Sequence, residues 1–218
     1  MKCINFSEAE KPRCNLVLGH GAGADMDSPM LAYVADALAK RNINVVRFNF
    51  EYMRLINETG KRRPPPRMIQ LENEYLEILE KLEDKSVPTI IGGKSMGGRV
   101  ATNILERSEA VAAIVLGYPF HPNGKSNQIR IEHLAEGKIS KSLYIIQGTR
   151  DPFGKLAEVS TYPLSNSVTI EWLEDGDHDF KPRQSSEVAV EENWQQAVEH
   201  IDAYLHELLA EEPLAMAK

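Results

Sequence analysis

Apolar residues in this chain fall into short unbroken runs, separated by longer stretches in which they recur every three to four positions. The runs are residues 14–18 (CNLVL), 44–48 (NVVRF), 88–91 (PTII), 111–116 (VAAIVL), 142–146 (SLYII) and 168–173 (VTIEWL). Runs this short, rich in β-branched residues, predict buried strands. Between them, Leu31, Val34, Ala35 and Leu38 follow a helical period that Ser28-Pro29 opens, as an N-cap with proline at the first helical position. A second helix is predicted over about residues 68–82, a third from Gly97 to about Arg107, and a long last one with Trp194, Val198, Ile201, Leu205 and Leu208 on its inner face. Residues 51–67 carry Gly60, the basic run Lys61-Arg62-Arg63 and Pro64-Pro65-Pro66, and are predicted to form a loop.

Strands that are apolar on both faces and alternate with helices belong to a parallel sheet covered on both sides. The expected fold class is therefore α/β, one domain over residues 1–218 with a mostly parallel central sheet, a length that suits one domain. Such sheets bind ligands beyond the carboxyl ends of their strands. The residues that follow each run are thus the candidates for chemistry.

After 88–91 comes Gly92-Gly93-Lys94-Ser95-Met96-Gly97-Gly98, which contains G-x-S-x-G. In a strand–turn–helix setting this motif is a nucleophile elbow, with glycines where a sharp turn leaves no room for side chains. Chance places the pattern in roughly 7% of chains of this length at ordinary glycine frequency, so its setting between a strand and a helix carries the weight. A serine hydroxyl needs a base, and the base needs an orienting acid. In the expected chain order of serine, acid, histidine, Asp151 follows run 142–146 and His178 follows run 168–173. Asp177 and Asp179 are alternative acids beside the histidine. An oxyanion needs two backbone donors. These are expected from Met96, directly after the serine, and from the turn His20-Gly21-Ala22-Gly23, with Ala22 ahead of Gly23.

Composition narrows the classes. The net charge of −7 does not fit the basic footprint that nucleic-acid binding needs. The two cysteines, Cys3 and Cys14, form no metal-ligand or redox motif and fit a reducing compartment. No signal-peptide pattern and no apolar stretch near 18 residues is present, so the expected address is the cytoplasm, with no membrane contact. No metal and no organic cofactor is implied. The oligomeric state is not legible.

The segments GHGAGADMDSPM, GGKSMGGR, GYPFHPNGK, GTRDPFG and GDHDFKP carry a resemblance to the α/β-hydrolase superfamily along nearly the whole chain. Within it the chain resembles the small, cap-poor, dienelactone-hydrolase-like group. It looks closer still to predicted bacterial hydrolases whose animal relatives include a subunit of the non-specific lethal histone acetyltransferase complex. The resemblance implies the nucleophile, acid and base roles for Ser95, Asp151 and His178. Dienelactone hydrolases proper use a cysteine nucleophile, so their substrate is not carried over. Only about thirteen residues precede run 14–18, so the first hairpin of the fold is expected to be reduced to one short strand at most.

The expected activity is hydrolysis of a small-molecule ester or thioester through an acyl-enzyme. The alternative is a non-catalytic interaction scaffold that keeps the fold, since fold does not imply turnover. Transfer of the acyl group to an acceptor other than water is not separable by sequence. His121, after run 111–116, is a candidate pocket-lining residue, and His20 is expected to be structural. Lys94 and Arg99 flank the elbow as solvent-facing or supporting groups. Arg62, Arg63 and Arg67 are either a solvated loop or an anion-binding arm that would favour an anionic substrate. Trp172 and Trp194 are expected in the core.

Overall fold

The computed structural model describes residues 4–82 and 86–215, with side chains as far as residue 210. Cys3 lies outside the described residues. Six predicted runs form parallel strands: β2 (Cys14–Gly19), β3 (Ile43–Phe48), β4 (Thr89–Lys94), β5 (Ala112–Leu116), β6 (Ser142–Gly148) and β7 (Val168–Leu173). The seventh strand, β1 (Ile4–Ser7), pairs antiparallel with β3 and is the reduced N-terminal piece. The sheet order is β1-β3-β2-β4-β5-β6-β7.

The order reverses direction at β2, so helices cover both faces, as the two-sided apolar strands require. Helices α1 (Pro29–Ala39) and α6 (Val190–Ala215) pack on one face, with Leu31, Val34, Leu38, Val198, Ile201 and Leu205 fully buried. Helices α3 (Met68–Glu80) and α4 (Met96–Ile104) cover the other, where Tyr75, Val100 and Ile104 meet Phe48, Ile91 and Val115. Ser28 holds the N-cap position of α1 through its backbone, its carbonyl accepting from Ala32 N–H at 2.9 Å, and its side chain makes no cap bond. Trp172 and Trp194 pack half-buried against the two cores.

Residues 51–67 depart from expectation. Glu51–Thr59 is a helix, α2, and only 60–67 is a loop. Tyr52, Met53 and Ile56 turn one apolar face inward, while Arg54 pairs with Glu51 and Glu58 on the outer face. Gly60 then ends the helix in the left-handed conformation (φ 66°), its N–H on Ile56 O at 2.7 Å. A short helix, α5 (Leu156–Val159), follows β6. Among the described residues no helix is long and apolar enough to cross a membrane.

Candidate active site

Strand β4 runs through Gly92 and Gly93 to Lys94, and α4 starts at Met96, so Ser95 alone makes the turn. Its backbone sits at φ 52°, ψ −110°, a strained conformation for a residue with a Cβ. Ser95 N–H donates to Leu116 O at 3.0 Å, and Ser95 O accepts from Arg99 N–H at 2.9 Å, which holds the turn from both sides. The flanking glycines are dictated by the end of β2: a Cβ on either Gly93 or Gly97 would lie 2.3 Å from Gly19 O.

Asp151 and His178 are brought into contact. Asp151 is fully buried in the turn after β6, and its Oδ2 lies 2.7 Å from His178 Nδ1. His178 therefore donates from Nδ1 and keeps Nε2 for other work. The second carboxylate oxygen, Oδ1, accepts Phe153 N–H at 2.8 Å, and the Phe153 ring lies 4.3 Å from the His178 ring, centre to centre. The alternative acids are used elsewhere. Asp177 Oδ1 accepts the N–H groups of Asp179 and Lys181 at 2.8 and 2.9 Å, and Asp179 pairs with Lys94 and Lys181.

Ser95 and His178 come to the same place around the end of β5. Leu116 O holds Ser95, and a Cβ on the next residue, Gly117, would lie 3.2 Å from His178 Nδ1. A second tie spans the same gap. Lys94, only 7% exposed, reaches Asp179 Oδ1 with its Nζ at 3.6 Å. Burial pushes the Lys94 ammonium down to about pKa 8, against the pull of Asp179 and Asp151.

The turn after β2 is fixed by a buried histidine. His20 Nδ1 donates to Gly21 O at 2.6 Å, and Nε2 accepts Phe50 N–H at 3.2 Å, so the ring is neutral, and burial lowers its pKa. His20 O accepts Gly97 N–H at 3.1 Å, docking the turn on the start of α4. Ala22 and Gly23 are exposed at its tip. Met96 is the first residue of α4, where N–H groups have no intrahelical acceptor. Between Ala22 and Met96 stands Tyr52 of α2, its hydroxyl donating to Ala22 O at 3.2 Å and lying 3.9 Å from Met96 Sδ.

Of the remaining candidates, His121 adjoins the turn of Asp151 through its backbone, its N–H donating to Phe153 O at 3.2 Å. His121 is 4% exposed, its Nδ1 on Pro122 O at 2.9 Å and its Nε2 on Glu158 of α5 at 3.2 Å. Arg62, Arg63 and Arg67 are exposed in the 60–67 segment, with Arg67 at the N-cap of α3, and none forms an ion pair among the described residues. No group of three metal-ligating side chains occurs among the described residues.

One supporting residue has no counterpart in the sequence reading. Gln147, fully buried in β6, donates from Nε2 to Asp151 Oδ2 at 3.0 Å and to Gly154 O at 3.2 Å, while its Oε1 accepts Tyr118 N–H at 2.7 Å. The one signal for it was a polar residue continuing an otherwise apolar strand.

The defining pattern of one family, the alpha/beta hydrolase domain, matches residues 12–206. The chain belongs to that family. Solved structures agree with the fold. Est1E from Butyrivibrio proteoclasticus superposes with a TM-score of 0.69 at 12% identity, over 95% of this chain and 94% of its own. A putative α/β hydrolase from Agrobacterium tumefaciens gives a TM-score of 0.65 at 17% identity, over 94% and 92%. A lidless α/β serine hydrolase from Xanthomonas campestris gives 0.64 at 14% identity, over 95% and 87%. At these identities the likeness is one of fold.

Proposed function

We propose that this α/β hydrolase cleaves a small-molecule ester or thioester through an acyl-enzyme on Ser95. The observation that carries the reading is the strained Ser95 turn beside a 2.7 Å Asp151–His178 contact. In this reading His178 Nε2 takes the Ser95 proton as Oγ attacks the carbonyl, and Asp151 holds the imidazole in the tautomer that leaves Nε2 free. The tetrahedral oxyanion is held by Met96 N–H and by Ala22 or Gly23 N–H, each such donor worth roughly 2.7–4 kcal/mol in comparable sites. Collapse expels the alcohol or thiol, protonated by His178. Water activated by the same ring then releases the acid and regenerates Ser95. No step calls for a metal or organic cofactor. The resemblance to cap-poor, dienelactone-hydrolase-like enzymes belongs to this reading. So does a cytoplasmic address, which fits a free, buried Cys14.

The test is covalent labelling with a fluorophosphonate, followed by peptide mapping, in wild type and in Ser95→Ala and His178→Ala. Label on the Ser95 peptide that is lost in both variants is expected. A folded wild type that takes no label overturns the proposal, and the scaffold reading replaces it.

A further inference from the structure

Arg99 lies one helical turn after Ser95 and donates its N–H to Ser95 O. Side chains on a helix lean toward its N-terminus, so Arg99 rises from a level about 5.4 Å below the serine toward it. The residues sharing its face show its surroundings. Asn103, four positions on, donates to Glu72 of α3 at 2.9 Å, and Thr102, three on, meets His133 Nε2 at 2.9 Å. Arg99 thus sits between α3 and the 130–134 segment, at the end nearer Ser95. Glu72 is already taken by Asn103 and Arg107. Arg99 Nε is buried with no hydrogen-bond partner.

Arg130 belongs to the facing 130–134 segment and is held there through its backbone. Its N–H donates to Phe120 O at 2.8 Å, and its carbonyl accepts the Tyr118 hydroxyl at 2.8 Å. Tyr118 directly follows Gly117, which abuts His178. Burial and the Arg99 charge both hold the Arg130 pKa below its usual value, and the same two causes push His133 down to about 4. His133 is therefore neutral. The Thr102 and Tyr118 hydroxyls spend their protons on carbonyls, so His133 Nε2 carries the hydrogen they accept. Neither arginine forms an ion pair among the described residues. Two guanidinium groups near enough for the Arg99 charge to act on Arg130, one with a buried unpartnered N–H, form an arrangement that a bound anion would satisfy.

We propose that Arg99 and Arg130 form a subsite for an oxyanion, a carboxylate or phosphate carried by the substrate, beside Ser95. As a substrate-selecting device it rests on the reading of Ser95 as nucleophile. Guanidinium forks suit either oxyanion through paired N–H donors.

The experiment has two arms. In the first, kcat/KM is measured for p-nitrophenyl hemisuccinate and p-nitrophenyl butyrate, and their ratio is compared in wild type, Arg99→Gln, Arg130→Gln, the double variant and Arg99→Lys. A ratio within one variant does not depend on how much of it is folded. The anionic ester should be preferred by wild type, the preference falling about tenfold in each single variant and about a hundredfold in the double. Arg99→Lys should keep part of it. In the second, Tm is measured with sodium succinate and with sodium phosphate against sodium chloride of matched ionic strength. At least one oxyanion should raise Tm in wild type and not in the double variant, and the more effective one identifies the group. A ratio unchanged in the double variant, or no protection beyond sodium chloride, overturns the subsite. Oxyanion protection of wild type alone, with neither ester hydrolysed and Ser95 unlabelled, would retain the subsite and remove the nucleophile reading.

Discussion

Gln147 shows how a single uncharged side chain can set the geometry of a charged one. Its amide holds Asp151 Oδ2, the oxygen that also faces His178, and its carbonyl oxygen holds the backbone of Tyr118. With Asp151 fully buried, each of these bonds replaces water that the carboxylate and the Tyr118 N–H no longer have. Gln147→Leu keeps the approximate volume and removes them. Stability should fall by about 2–4 kcal/mol, read as a shift of the urea midpoint. On a p-nitrophenyl ester, kcat should fall more than tenfold while KM changes little, because the misaligned histidine matters only once charge develops on it. A loss confined to stability, with kcat retained by the folded fraction, would make Gln147 a packing residue alone.

Helix α2 marks the limit of what the residue pattern discloses about an element. Its nine residues carry two buried side chains, Tyr52 and Met53, and a glycine and three prolines follow within seven positions. A short helix with so thin an apolar stripe is marginal by itself and is held by what it packs against. That contact is long-range and leaves no period to count. The legible trace was the Glu51–Arg54–Glu58 ladder at helical spacing. The helix matters because it delivers the Tyr52 hydroxyl between Ala22 O and Met96 Sδ, joining the two segments from which oxyanion donors are proposed. Tyr52→Phe removes one neutral hydrogen bond and little else. A fall of about fivefold in kcat/KM with a Tm within a few degrees of wild type is expected, and unaltered kinetics would detach Tyr52 from the site.

At the scale of the whole molecule, the alternation of apolar runs with helical segments was enough for the sheet, and the strand ends were enough to nominate Ser95, Asp151 and His178. A parallel sheet forces residues distant in sequence to one edge, so chain order and strand position carry three-dimensional information. Side-chain pairings across that edge carry no such signature. Nothing local marks Arg99 and Arg130, 31 positions apart, as neighbours, or Lys94 and Asp179 as a pair. The Lys94 pairing has a consequence for stability that can be measured. Its ammonium is buried in the fold, with a pKa near 8, whereas in the unfolded chain it titrates near 10.4. Between these values the unfolded chain holds a proton that the folded one has released, so the fold gains stability as pH rises through this window. Lys94→Met lacks the titrating group and lacks the gain. Urea midpoints of wild type and Lys94→Met should therefore diverge from pH 8 to pH 10 in favour of wild type, by at most about 1.4 kcal/mol per pH unit. Parallel curves over that range would mean that the Lys94 ammonium stays charged in the fold, held by Asp179 more strongly than burial opposes it.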